Sequence, residues 1–540
     1  MIAACFLCFG LALGCIFAGR NLYHYFQLES YQFPGYFRTL RRNLLKALLP
    51  GLCMLLLLVV SMLLAAALIP DQYDAERIAA GALLIAGGWA IGRLLKEKNP
   101  KKKFALTARV KRLYCVSLVV MTAVLALFVF YVVPPDGPVS LRGRIGLSMF
   151  FLFPVLLPLW IALCGLLAWP IEKGISEMYF RDAQRILRSR PDLIRIGITG
   201  SWGKTSVKFI LGTLLSEKYN TLVTPASFNT PMGVTKVIRS GLEPGHRVFV
   251  AEMGARHVGD IREMCRLVHP VIGLLTSVGP QHLDTFHTVE RVAKTKYELI
   301  EALPEDGECF FADDEGICRE LYEKTGKKRT LAGMDPARDD VWAENVRYSP
   351  EGSSFDLCTR EKRIPCRTDL LGELNVRNIV LCAAAAFSLG LDEEQVARGI
   401  GKIRPVEHRL QLIRNPGGIT IIDDAFNSNI RGAKQAFETL KVFPGRRMVV
   451  TPGMVELGDR EAEMNREFGK SMAGCCDEAV LVGPKRSVAI REGLEEGGFA
   501  AEHIYVVSSL EEATRLMGTL VGPGDTVLFE NDLPDNYSET

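Results

Sequence analysis

Ile198-Thr-Gly-Ser-Trp-Gly-Lys-Thr-Ser206 decides how the second half of this 540-residue chain folds. The alternating β-branched run at 193–199 reads as a strand, and 207–215 has helical spacing. Strand, glycine-rich turn and helix in that order are the context a phosphate-binding loop requires. The backbone N–H groups of Gly200, Ser201, Gly203 and Ser206 open a helix and cradle phosphate oxygens. Lys204 offers a point charge to β and γ phosphates, and the Thr205 hydroxyl suits Mg2+. The general G-x-x-x-x-G-K-[ST] pattern is incomplete, because Ile198 stands at its first glycine.

Downstream, Val248-Phe-Val-Ala-Glu-Met-Gly-Ala255 reads as a buried parallel strand ending in a carboxylate. Ligands of open α/β sheets gather at the carboxyl ends of strands, which puts Glu252 in position to hold Mg2+. A second apolar strand at 271–276 runs into Ser277-Val-Gly-Pro-Gln-His-Leu-Asp284, where His282 is a candidate metal or phosphate contact. After residue 406, strands at 419–422, 448–450, 479–482, 504–507 and 526–529 alternate with helical stretches at 431–440 and 461–473, the pattern of a Rossmann-like α/β domain.

Ahead of the loop the composition changes. Stretches 2–18, 47–69, 78–95, 113–133 and 145–169 are apolar enough to cross a hydrocarbon core of about 30 Å. The third is the least apolar, and its Gly81, Gly87, Gly88 and Gly92 point to close helix packing. Arg20, Arg38, Arg41, Arg42 and Lys46 fill one connection; Lys96, Lys98, Lys101, Lys102, Lys103, Arg109, Lys111 and Arg112 fill another. Cations concentrate on the cytoplasmic side, so five spans place the N-terminus outside and everything after Pro170 in the cytoplasm of a cell-membrane protein. The intervening connections carry Asp71, Asp74, Glu76 and Asp136 instead. The segment 171–190 mixes apolar and basic residues and suits either an inner-leaflet surface or a solvated linker helix. A net charge of +3 argues against a nucleic-acid partner. The 14 cysteines, many in apolar runs, read as reduced. The expected organisation is a helical membrane domain at 1–170, a linker at 171–192, a central ATP-binding α/β domain at 193–405 and a C-terminal α/β domain at 406–540.

The motifs carry a resemblance. The phosphate loop, Ser227-Phe-Asn-Thr-Pro-Met-Gly-Val234, Glu252-Met-Gly-Ala255, His282-Leu-Asp284, Val292-Ala-Lys-Thr-Lys-Tyr-Glu298, Gly372-Glu-Leu-Asn-Val-Arg-Asn378, His408-Arg409 and Ile422-Asp-Asp-Ala-Phe-Asn-Ser-Asn429 resemble the Mur ligase family. Within it, they are most similar to the branch adding a D-alanyl-D-alanine dipeptide to a UDP-linked muramoyl tripeptide. The resemblance implies that a carboxylate attacks the γ-phosphate of ATP, and that an amine then displaces phosphate from the acyl phosphate. It implies that Lys204 is the loop lysine, that Thr205 and Glu252 hold one Mg2+, and that His282 serves a second. Lys296 is the lysine carbamylated by CO2, with Lys294 as the competing candidate. The resemblance further implies that Asn378 lies at the adenine, that Arg409 reaches the phosphates and that Asp424 holds the ribose.

Two departures bear on substrate. The family's N-terminal UDP-binding domain is replaced by the apolar helices. Near the C-terminus, where that branch has a basic Lys-Gly-Ser stretch, this chain has Leu528-Phe-Glu-Asn-Asp-Leu-Pro534. The expected partners are a muramyl peptide or lipid-linked precursor as carboxylate donor, and an amino acid or dipeptide as acceptor. A poly-γ-glutamate-type or other amino-acid ligase is the competing enzymatic reading. A transporter or scaffold is disfavoured because no span carries an unpaired ionisable group near its middle.

Overall fold

The structure, a computed structural model, describes the chain except residues 70–71, 97–102, 130–140, 415, 427–429, 456, 458–459 and 533–540, and except the side chains of 141–142 and 283–284. Lys98, Lys101, Lys102, Asp71, Asp136, Asn427, Ser428, Asn429 and Pro534, which enter the sequence reading, therefore lie outside the described residues. The chain divides into two units, Met1–Glu177 and Met178–Thr540.

The first unit is helical: α1 Ile2–Ala18, α2 Arg20–Leu28, α3 Phe33–Arg42, α4 Leu44–Leu68, α5 Tyr73–Leu94, α6 Ala108–Leu127, α7 Leu141–Leu152 and α8 Leu157–Arg188. By length and composition α4, α5, α6 and α8 can each cross a membrane, and α1 with α2, bent by 53°, makes a fifth candidate. The stretch 145–169, expected as one span, is instead broken between α7 and α8. Pro154 explains the break, since it lacks an N–H and disfavours helical backbone in the residue before it. The segment 171–188 is the continuation of α8, which runs through Pro170 without interruption.

Glycines set the spacing of α1 and α5. A methyl on Gly88 would meet the Gly14 carbonyl oxygen at 2.4 Å, and one on Gly92 the Phe17 oxygen at 2.1 Å. The two backbones touch directly, as only small residues at the contact allow. Gly87 faces the other way, against Leu57 of α4.

In the second unit, β1 Ile194–Thr199, β2 Thr221–Val223, β3 Val248–Glu252, β4 Ile272–Leu275, β5 Glu308–Ala312, β6 Lys328–Gly333, β7 Val341–Ser349, β8 Gly352–Thr359 and β9 Arg363–Thr368 form one sheet, ordered β2-β3-β1-β4-β5-β6-β7-β8-β9. It is parallel from β2 through β7 and antiparallel at β7-β8-β9. Residues of α9 Lys204–Leu215, α15 Glu373–Ser388 and α16 Glu393–Lys402 pack on one face. Those of α10 Pro231–Gly241, α11 Asp260–Val268, α13 Val289–Glu301 and α14 Ile317–Lys324 pack on the other, and α12 is the short turn Leu283–Phe286. Covered on both faces, β3 is buried at every residue, which is why it reads as a continuous apolar run.

A second sheet holds β10 Gln411–Arg414, β11 Thr420–Asp424, β12 Arg447–Thr451, β13 Glu478–Val482, β14 Ile504–Val507 and β15 Thr526–Glu530, ordered β10-β11-β15-β12-β13-β14. Only β10 runs antiparallel. Helices α17 Ile430–Leu440, α18 Glu461–Ala473, α19 Ser487–Glu496 and α20 Leu510–Leu520 accompany it. The antiparallel strands β7 to β10 were not anticipated from sequence. None of the 14 cysteines is in a disulfide.

Replacing Gly88 by leucine forces α1 and α5 apart and is expected to cost about 1–3 kcal/mol of stability. Gly174, where an added methyl would have nothing within 4 Å, provides the control. Thermal unfolding of the full chain in detergent should show a lowered midpoint for Gly88→Leu and an unchanged one for Gly174→Leu.

Candidate active site

Sheet order places the site. Strand β1 lies between β3 and β4, so the loops leaving these three strands converge at their carboxyl ends. Gly203 caps α9 with φ 81°, a left-handed conformation suited to glycine. A methyl on Gly200 would strike Thr276 Oγ1 at 2.1 Å, so the loop can lie against β4 only with glycine there. The loop is then pinned from β4. Ser201 N donates to the Ser277 carbonyl (2.9 Å), Trp202 N donates to Ser277 Oγ (2.9 Å), and Thr276 Oγ1 donates to the Trp202 carbonyl (2.5 Å). Ser201 Oγ donates to the Gly279 carbonyl (3.1 Å).

Glu252, buried at the end of β3, gathers polar side chains from α9 and from the connection between β2 and α10. Thr205 Oγ1 donates to its Oε1 at 3.1 Å, Asn229 Nδ2 donates to the same oxygen at 3.0 Å, and Lys208 Nζ donates to Oε2 at 3.0 Å. Its backbone N–H is held by Thr224 Oγ1 at 3.1 Å. Burial opposes its ionisation, but Lys208 and Lys204 outweigh it and hold the carboxyl below its usual pKa. Lys208 itself is buried, and its ammonium also donates to the Ala226 carbonyl.

Lys204 folds onto its own loop, donating to the carbonyls of Gly200 (2.6 Å) and Ser201 (2.9 Å). Burial lowers its pKa to about 8; Glu252 opposes this and Arg409 adds to it. Lys296, on α13, is fully buried, and burial followed by repulsion from Lys204 drives its pKa far below the usual lysine value. Glu298 is a structural neighbour: its carboxylate accepts the backbone N–H groups of Gly259 and Arg262 at the start of α11. His282 has φ 50°, and its carbonyl begins α12 by accepting from Thr285 N and Phe286 N. Among the described residues no three His, Cys, Asp or Glu side chains converge as a metal cage.

Asn378, on α15, is buried with its Oδ1 3.2 Å from a methyl position on Gly203, and its Nδ2 makes no hydrogen bond among the described residues. An unpaired buried amide beside a phosphate loop is a donor awaiting a ligand. Ser206 lies in the first turn of α9.

From the C-terminal sheet, Arg409 sits between His408 (φ 59°) and Leu410 (φ 46°), two non-glycine residues in left-handed backbone. Its Nη1 donates to the Phe426 carbonyl at 3.0 Å, and its guanidinium lies over the Phe426 ring. Burial lowers its pKa, while Asp424, Glu252 and Glu530 oppose that shift, so its charge reaches both sheets. Asp424 faces Glu530 across the β11–β15 ladder. Burial raises the Asp424 carboxyl to about 6, with Arg409 opposing. Asp423 instead holds His408 Nδ1 at 2.7 Å.

The middle-domain family of Mur ligases matches residues 198–386, and the Mur ligase glutamate ligase domain matches 408–530. The UDP-N-acetylmuramoyl-tripeptide–D-alanyl-D-alanine ligase of Mycobacterium bovis is 32% identical over 357 residues, 62% of this chain and 69% of the relative. The Bacillus subtilis enzyme of the same name is 28% identical over 340 residues, 62% and 72%. Among solved structures, MurF from Acinetobacter baumannii superposes with a TM-score of 0.60 at 25% identity, covering 67% of this chain and 79% of that one. Thermotoga maritima MurF ligase in complex with ADP gives 0.59 at 25% identity, covering 67% and 82%.

The chain belongs to the Mur ligase family. It is an ATP-dependent ligase that forms carbon–nitrogen bonds. In this Mur ligase the sequence reading missed Lys208, Asn229 and Glu530. Lys208 was findable, because it follows Lys204 by one helical turn and so shares its face of α9. Asn229 lies inside the 227–234 motif, where nothing local distinguishes it from its neighbours. Glu530 had no local signal, since its partner Asp424 is a cross-strand neighbour distant in sequence.

Removing the counter-charge of a buried carboxylate is strongly destabilising, so Lys208→Met should lower unfolding free energy by about 3–5 kcal/mol, measured by urea denaturation of the full chain in detergent. Lys204 generates a pH prediction. Expected as the phosphate contact, it acts in its charged form, and in the free protein that form is lost as pH rises through about 8. ADP affinity should hold steady below about pH 7.5 and fall by up to about tenfold per pH unit above about 8. Titration calorimetry in buffers of different ionisation enthalpy should show proton uptake on binding near about pH 8.5; a flat profile would contradict the assignment.

Proposed function

We propose that this protein is a membrane-anchored, ATP-dependent ligase of peptidoglycan precursor synthesis. It activates the carboxylate of a muramyl peptide, UDP-linked or lipid-linked, and joins it to the amine of an amino acid or dipeptide. The observation that carries this is the Thr205–Glu252–Lys208–Asn229 cluster beside Lys204 and Arg409, in a chain whose relatives add D-alanyl-D-alanine to a UDP-N-acetylmuramoyl tripeptide. Apolar helices α4, α5, α6 and α8 support the anchor, and the basic connections favour a cytoplasmic catalytic unit with the N-terminus outside.

The residues divide the chemistry simply. Gly200 to Ser206 and Lys204 hold the nucleotide phosphates, Asn378 offers its unpaired amide to the nucleotide, Asp424 takes the ribose, and Arg409 brings positive charge from the second sheet. Thr205 and Glu252 would hold Mg2+, with His282 near a second ion; bound there, the metal neutralises phosphate charge as it moves. The donor carboxylate oxygen bonds to the γ-phosphorus as the bond to the β-phosphate oxygen breaks and ADP leaves. The amine nitrogen then bonds to the acyl carbon, phosphate departs with the bonding pair, and the nitrogen releases a proton. Alignment and charge neutralisation supply most of the acceleration.

Lys296 is read as a carbamate. Carbamylation requires the free amine, and burial together with Lys204 favours that form. The resulting anion turns the repulsion from Lys204 into attraction and gives oxygens for Mg2+.

Lys204→Ala should abolish substrate-dependent ADP release. Lys296→Ala should be nearly inactive and regain part of its rate with small carboxylic acids. Full activity in either variant would reject its role. Mass spectrometry of product from detergent-purified protein, ATP, membrane extract and candidate amines identifies donor and acceptor; an oligo-γ-glutamyl product would favour the amino-acid ligase alternative.

A further inference from the structure

We propose that the groove between α6 and α8 binds the phosphate head and first chain segment of a single-chain lipid. The inference rests on reading these two helices as membrane-embedded, and it gives the proposed function a lipid phosphate as its membrane-side ligand. The groove encloses about 280 Å³ and is lined by Lys111, Arg112, Cys115, Val116, Ala168, Ile171 and Glu172, all in the first unit.

Its two ends differ in chemistry. Cys115, Val116, Ala168 and Ile171 make an apolar floor, and Lys111 and Arg112 in the first turns of α6 make a cationic mouth. Glu172, buried on α8, organises that mouth. Arg112 donates to both of its oxygens, Nε to Oε1 at 2.6 Å and Nη2 to Oε2 at 2.7 Å. Arg109 approaches the same carboxylate at 3.8 Å while its guanidinium rests 3.9 Å over the Tyr31 ring. Among the described residues this one carboxylate serves both guanidiniums, so the cations at the mouth outnumber its acids. Lys111, exposed, and Lys173, over the Trp169 ring at 5.0 Å, add to it. The amino end of α6, capped by Thr107, contributes in the same sense.

A free anion has no use for the apolar floor, and a neutral lipid has none for the cations; a lipid phosphate matches both. The bidentate clamp fixes Arg112 in advance, which reduces the ordering entropy lost on binding. The volume is slightly below the about 300–1,000 Å³ of ordinary small-molecule sites and has room for one chain segment. Trp169 beside the mouth is the kind of residue that marks a membrane–water interface.

Cys115 supplies the test, because it is exposed on the groove wall. The full chain carrying Cys5→Ser in detergent is treated with a maleimide, and labelling of Cys115 is followed by peptide mass. A polyprenyl phosphate should slow labelling at least tenfold at micromolar concentration, and inorganic phosphate or the corresponding polyprenol should not. Lys111→Glu should weaken protection at least tenfold while leaving the melting temperature unchanged. Absence of protection, equal protection by the polyprenol or by phosphatidylglycerol, or full protection in Lys111→Glu would overturn the proposal. Lys204→Ala, inactive under the ligase reading, should keep the protection, so the two readings fail separately.

Discussion

The site depends on one buried carboxylate. Glu252 sits at the end of a strand that is inaccessible along its whole length, where an ion without partners would cost several kcal/mol. Its two oxygens are therefore committed to Thr205, Asn229 and Lys208. Those bonds fix α9 and the 227–230 segment to β3, and α9 in turn fixes the phosphate loop. A divalent cation at Glu252 would compete for the oxygen that Thr205 and Asn229 now hold. Lys208 would keep its own hold on Oε2, so metal entry rearranges the site without leaving the carboxylate unsupported. The same residue thus organises the loop and is the proposed ligand of the metal.

The second sheet meets this centre with a different arrangement. Asp424 and Glu530 lie side by side on β11 and β15, with the Asp424 carboxyl raised by burial, while Arg409 lies close enough to shift the titration of Lys204. A carboxyl raised to about 6 holds its proton more firmly folded than unfolded. The pair's stabilising contribution is complete below the unfolded carboxyl value and declines as pH rises through about 6. The left-handed residues on either side of Arg409 show that its position is held by the surrounding structure against local backbone preference.

What could be read from sequence follows the range of the forces involved. The phosphate loop, the buried strand ending at Glu252 and the alternating strands of the last sheet are local patterns, and each appears where periodicity placed it. The resemblance brought Asn378, Arg409 and Asp424 together, but it took the folded chain to show Asn378 against Gly203 and Asp424 against Glu530. Strands β7 to β9 escape detection because they are half-covered and mix polar with apolar residues, so no buried run marks them. Hydropathy makes one span of 145–169 because it is blind to Pro154, whose effect is on backbone geometry.

Under the proposed membrane anchoring, the helical unit changes the problem the catalytic unit faces. A ligase meeting a soluble substrate depends on that substrate's bulk concentration. One tethered to a membrane meets a lipid-linked substrate within a thin layer, where the effective concentration is far higher for the same number of molecules. Specificity can then be divided. The ATP-binding half needs only to align a carboxylate and an amine, and recognition of the donor's carrier can pass to another part of the chain. The direct backbone contact of α1 with α5 and the clamped Glu172–Arg112 pair show that the helical unit is built as a packed structure with its own polar centre. A simple anchor requires one apolar helix; a packed bundle with an oriented arginine pair beside an apolar groove is the construction expected of a part that recognises something.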